Sequence, residues 1–161
     1  KASTIARSTE AMTMITPPLP EQIERIRASF KQLSPHADEL TRVFFTRLFT
    51  AGPAVRALFP RESFGDGPGR GQDLIASLGI VVKNLHRLDA VEHLLMDMGA
   101  RDQRAGAQPQ HYGLVRDALL AAMRDIQGPT WNDEVHADWC QTFNIVASVM
   151  IRGAGHARRA A

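Results

Sequence analysis

Hydrophobic residues recur every three or four positions along most of the chain, and no segment shows the alternation of period two that marks a strand. After Pro17, Pro18 and Pro20, the residues Ile23, Ile26, Phe30 and Leu33 fall on one helical face, and Pro20 suits a first helical position. Ser34-Pro35 stops that helix and opens another, whose apolar face over 36–51 is Leu40, Val43, Phe44 and Leu48. Gly52-Pro53 breaks the pattern, and a short helical piece is expected up to Leu58-Phe59-Pro60. Residues 61–71, rich in glycine, read as an interhelical loop.

Leu74, Leu78, Val81, Val82, Leu85 and Leu88 predict a strongly apolar helix. Asp89, with Glu92 in capping-box spacing, predicts the start of the next, faced by Val91, Leu94, Leu95 and Met98. A polar link over 102–108 leads to Pro109, after which Tyr112, Val115, Leu119, Met123 and Ile126 keep the helical period. Gly128-Pro129 ends that helix. Thr130, followed by Asp133, predicts the start of a last helix lined by Val135, Trp139, Phe143, Val146 and Met150. The expected organisation is all-α, with six to seven helices in one domain over 20–152. Residues 1–19 are expected to be a flexible leader, of which the first part reads as a loose or vector-derived extension, and 153–161 a flexible basic tail.

Composition narrows the function classes. A chain of 161 residues, 44% hydrophobic and 22% charged, has the balance of one ordinary globular domain rather than of a disordered segment. A net charge of +2 is too mild to point to nucleic acid. The lone Cys140 excludes an intramolecular disulfide and any site needing two thiolates, and it fits a reducing compartment. No apolar run approaches the roughly 20 residues that span a bilayer, and no signal-peptide pattern opens the chain. A cytoplasmic protein is expected.

Few residue sets carry obvious chemistry. The glycines from Gly65 to Gly71 follow no strand and lack the Lys-Ser/Thr of a phosphate loop. His36, His86, His93, His111, His136 and His156 form no recognised metal set. Phe30, Phe44, Phe45, Phe49, Phe59 and Phe64 concentrate in the first half. Such a group is ordinarily core, and it also suits the wall of a flat apolar ligand pocket.

Several segments, in order, resemble the globin family, in particular single-domain bacterial haemoglobins and the globin domain of flavohaemoglobins. Thr41-Arg42-Val43-Phe44-Phe45-Thr46-Arg47-Leu48-Phe49 is similar to the family's T-x-x-F-[YF]-x-x-L-F, and Pro53-Ala54-Val55-Arg56-Ala57-Leu58-Phe59-Pro60 to its P-x-x-R-x-L-F, which puts Phe59 in the haem-stacking slot. Leu78 to Leu85 resembles the distal helix. Pro109-Gln110-His111-Tyr112 through Met123 resembles P-x-x-Y-x-x-V-x-x-x-L-L, and Trp139 falls on the last-helix tryptophan. The resemblance spans about residues 20–152 and implies a globin-like fold.

Its departures bear on function. The family's iron-binding histidine, ten residues before the motif tyrosine, is Asp102 here. His93 lies nine residues earlier and faces away on a continuous helix, at about 100° per residue. His111 belongs one helix later. Phe45 stands where a distal tyrosine is frequent, the distal glutamine or histidine slot falls among Arg70, Gly71 and Gln72, and Ala154 replaces the proximal glutamate. The resemblance implies a pocket wall of Phe45, Phe59, Leu74, Leu78 and Val81, completed by Leu95, Met98, Asp102 and Tyr112. The combined losses imply a domain that works without haem, in sensing, regulation or the binding of an apolar ligand or a protein partner. The other reading open here is a bacterial globin that holds haem b with atypical ligation, for O2 or NO binding or electron transfer. No catalytic residue is assigned, and no reductase module lies within these residues, so the sequence leans away from an enzyme.

Overall fold

Pro20 takes the first turn of α1 (Pro20–Leu33), and the Gln22 side chain accepts the Leu19 N–H at 2.8 Å. A 3-10 turn at Ser34–His36 leads into α2 (Ala37–Ala51), which buries Leu40, Phe44 and Leu48. Gly52-Pro53 ends α2, and a 3-10 segment, Pro53–Leu58, delivers Phe59 in an extended conformation. The computed structural model describes residues 16–59 and 70–160. The glycine loop up to residue 69, Phe64 with it, and the first 15 residues of the expected leader lie outside these.

α3 (Arg70–Lys83) turns Leu78, Val81 and Val82 into the core. The helix start expected at Asp89 is displaced. A 3-10 stretch, Leu85–Val91, kinked at Arg87, fills that place. Asp89 contributes its backbone carbonyl to the Glu92 N–H, and α4 (Glu92–Arg104) begins two residues later than its cap-like sequence predicts, with Val91 rather than Asp89 at the cap. α5 (Pro109–Gln127) starts at Pro109 as expected and stops at Gly128, whose φ of +63° lies in the left-handed region that favours glycine.

The last helix, α6 (Asp133–Ala160), corrects two expectations. Its cap is Asn132, whose Oδ1 accepts the Val135 N–H at 2.9 Å, while Thr130 sits in the preceding 3-10 turn. It also runs through the segment expected to be a tail. Gly153 and Ala154 are buried, so packing extends past residue 152.

The described residues thus form six α-helices and no strand. Their shared core includes Ile26, Leu40, Leu48, Leu85, Met123 and Trp139. Trp139 is fully buried, and its Nε1–H donates to Ser29 Oγ at 3.0 Å, while Ser29 donates to the Gln127 side chain. One hydroxyl thereby ties α1, α5 and α6 together and satisfies the buried indole. The buried Asp138 accepts from Arg25 Nε at 2.6 Å, a second α1–α6 link. α4 lies against α6, and this contact carries the turn that holds Asp102.

Candidate functional site

Asp102 comes from the last turn of α4, three residues before Ala105 closes the helix. The chain turns back through Gly106, whose φ of +106° only glycine adopts freely, and re-enters at α5. This reversal brings Tyr112, in the first turns of α5, against Asp102. The Tyr112 hydroxyl donates to Asp102 Oδ2 at 3.4 Å, a long contact for O–H···O.

Beside this pair lies a cavity of about 490 Å³, within the range of small-molecule pockets. Val55, Leu58 and Phe59 wall it on one side, and Val115 and Leu119 of α5 on another. α6 contributes Phe143, Val146, Ala147 and Met150. The polar groups at its lining are Arg101, Asp102, His111, Tyr112 and Arg116. The interior is therefore apolar, with ionisable groups contributed mainly from the α4–α5 corner.

Burial sets the electrostatics of the pair. Removal from water pushes the Asp102 carboxyl above its ordinary value, opposed by the Tyr112 hydrogen bond and the Arg101 charge. Burial also raises the Tyr112 hydroxyl to about 12, with the charge of Asp102 and the shared hydrogen bond adding to it. Tyr112 is thus a protonated donor across the physiological range, beside a carboxyl that burial holds above its ordinary value.

The residues assigned by resemblance separate into two sets. Phe59, Asp102 and Tyr112 line the cavity. Phe45 stands behind Phe59, ring centroids 5.3 Å apart and edge-on, and is itself not among the lining residues. Leu78 and Val81 pack in the shared core, with half-buried Leu74 against it. Leu95 is buried and Met98 half-buried, and neither lines this cavity. Their period matches that of pocket residues because a core face and a pocket face carry the same apolar signal. The side chains of Arg70, Gly71 and Gln72 lie outside the described ones. Ala154, which the resemblance sets in the slot of a glutamate, is buried and brings no carboxylate.

His111 is the residue that sequence reasoning set aside and the structure brings to the site. It does not occupy the slot of Asp102, yet it lines the same cavity from the first turn of α5. Its Nδ1 accepts the Gln108 N–H at 2.9 Å. The spacing Gln108-x-x-His111 before an apolar run marks the helix start, and nothing in it says that this start borders a cavity. His93 is exposed on α4, and among the described residues no group of three or more His, Cys, Asp or Glu could hold a metal ion. No helix of the described residues is long and apolar enough to cross a membrane.

Comparison with known proteins places this geometry. The Globin family model matches residues 42–150. The chain is 25% identical over 140 residues to a flavohaemoprotein of Halalkalibacterium halodurans, covering 86% of this chain and 34% of that protein. It is 28% identical over 141 residues to a neuroglobin of Danio rerio, covering 80% and 87%. The chain therefore spans about a third of the flavohaemoprotein's length and most of the neuroglobin's. In structure it is similar to a bacterial globin from Campylobacter jejuni, with a TM-score of 0.74 and 21% identity over 86% of this chain and 97% of that one. It is also similar to a flavohaemoglobin from Malassezia yamatoensis determined with bound FAD and haem, with a TM-score of 0.75 and 19% identity over 88% and 37%. These structural likenesses concern the fold. The expectation of a domain working without haem finds no support in any of these matches.

Proposed function

Because this chain belongs to the globin family, we propose that it binds haem in the cavity between Phe59 and the α4–α5 corner, with Asp102 toward the iron, and that it serves in O2 or NO chemistry. The observation that carries this reading is the convergence of Phe59, Asp102 and Tyr112 on one apolar cavity.

The residues present suit such a group in two respects. The walls formed by Leu58, Phe59, Val115 and Leu119 offer the apolar surface a flat macrocycle needs. Asp102, half-buried and without a paired cation among its hydrogen bonds, offers an oxygen donor to a metal. Haem, when bound, supplies an iron centre able to take a diatomic ligand.

The chain's own groups have distinct tasks in this reading. Tyr112 donates its proton to Oδ2 and would orient the carboxyl that would hold the metal, in the manner of an outer-shell partner. Phe45 packs edge-on against Phe59 and backs that ring as a wall of the cavity. Phe45 has no hydroxyl, so that position donates no hydrogen bond to a bound diatomic molecule. The apolar face of α6 lines the far side of the cavity and offers water no hydrogen-bond partner there but the main chain.

Titration of the purified protein with hemin, followed by absorbance, tests the proposal. A sharp Soret band that saturates at one equivalent is expected. Absorbance indistinguishable from free hemin overturns it, and the cavity would then belong to another apolar ligand.

A further inference from the structure

The charge arrangement around Asp102 differs from that of a site built on a neutral imidazole. Its carboxyl sits beside apolar walls, with Tyr112 as its hydrogen-bond donor. Arg101 lies beside it on α4 but is itself exposed, so water screens its charge. Arg116, the other guanidinium at the cavity, is bonded to Asp117 at 2.9 Å and to Asn144 at 2.8 Å. An anion half withdrawn from water is thus left with little compensating positive charge.

The other donor atoms at the cavity do not change this balance. Tyr112 spends its proton on Asp102. His111 accepts the Gln108 N–H at Nδ1, so its neutral ring carries the proton on Nε2 and has no lone pair there for a metal. Met150 offers only a neutral thioether, a soft and weak donor. Among the described residues, the hard, anionic oxygen of Asp102 is the one charged donor lining the cavity.

Resting on the haem-binding reading above, we propose that Asp102 makes this cavity selective for a metalloporphyrin whose metal is trivalent. The core of a porphyrin holding a trivalent metal carries one net positive charge, and that of a divalent metal carries none. The cationic core supplies the missing counter-charge, and a hard metal prefers a carboxylate oxygen. The chain therefore favours oxidised over reduced haem, the reverse of what reversible O2 carriage requires.

Redox-inert probes test this without any turnover. Equilibrium affinities are measured by fluorescence titration for gallium(III) protoporphyrin IX, zinc(II) protoporphyrin IX and the metal-free porphyrin. The gallium form is expected to bind at least about tenfold more tightly than the zinc form. Asp102→Asn, of nearly the same shape, is expected to abolish that ratio while still binding the metal-free porphyrin. Asp102→His is expected to shift the preference toward zinc, for which imidazole is a good ligand. Equal binding of the gallium and zinc forms, or a preference that survives in Asp102→Asn, overturns the selectivity and leaves the haem-binding reading standing. Failure of all three porphyrins to bind the wild-type chain overturns the haem-binding reading itself.

Discussion

Gly99 of α4 packs directly on the main chain of Met150 in α6: a Cβ at position 99 would stand 1.9 Å from the Met150 carbonyl oxygen. The contact is reciprocated one turn further along, where a Cβ on Gly153 would meet the Met96 carbonyl at 2.1 Å. Two glycines therefore let these helices touch backbone to backbone, and this seam positions the turn that carries Asp102.

Alanine usually stabilises a helix interior by about 0.5–1 kcal/mol over glycine. At 99 and 153 overlap with a main-chain carbonyl outweighs that gain, because backbone cannot swing aside. Gly99→Ala and Gly153→Ala are each expected to lower stability by about 1–3 kcal/mol in denaturant titration. Gly155→Ala, with nothing within 4 Å of its Cβ, is expected to be neutral or slightly stabilising. Equal effects at all three positions would refute the seam.

The Asp102 carboxyl gives the fold a pH dependence of definite sign. Its folded-state value lies above the ordinary 3.8, so the folded chain binds this proton more tightly than the unfolded chain does. Its contribution is fully present below 3.8 and is lost as pH rises through the raised value. In the apoprotein, the stability of the wild type relative to Asp102→Asn is therefore expected to fall across that window. Tyr112→Phe removes a hydrogen bond that favours the charged form, and it should move the Asp102 titration, followed by NMR at the carboxyl carbon, further upward. A downward movement would contradict the role given to Tyr112.

Why some of this was legible in the chain and some was not follows from particular residues. Pro20 and Pro109 announce helix starts because a fixed φ and a missing N–H suit only the first turn. Asp89 misleads because capping-box spacing describes local chemistry, while the kink at Arg87 decides where α4 begins. Phe59, Asp102 and Tyr112 could be placed through the order of their motifs. Phe143, Val146 and Met150 were visible as an inner helix face, but nothing in their spacing says that part of that face borders a cavity. His111 escaped because only the reversal at Gly106 brings the first turn of α5 to the end of α4.

Ser29 is the hinge of the polar contact under the core. It is 2% exposed and accepts from the fully buried Trp139 indole while donating to Gln127. Ser29→Ala leaves the indole N–H without a partner where water does not reach. A loss of about 1–3 kcal/mol is expected from thermal or denaturant unfolding. Trp139→Phe removes donor and ring volume together and is expected to cost at least as much. A neutral Ser29→Ala would mean that the indole finds another acceptor.

Phe59 separates wall from core more directly than any other position. It is half-buried, lines the cavity, and touches Phe45 and Phe49 at centroid distances of 5.3 Å and 6.2 Å. If its main task is to present a flat face to the cavity's occupant, Phe59→Ala should weaken hemin binding by about tenfold or more, because apolar contact with the macrocycle is lost. Its effect on the apoprotein should be smaller than the about 3–5 kcal/mol typical of a fully buried phenylalanine, since part of the ring is already exposed. Phe44→Ala supplies the contrast: that ring is 4% exposed and belongs to the shared core, so it should cost stability first. Measured side by side, a large binding defect with modest destabilisation at 59, and the reverse at 44, supports the division. Equal stability losses with unchanged hemin affinity at both would assign Phe59 to the core instead.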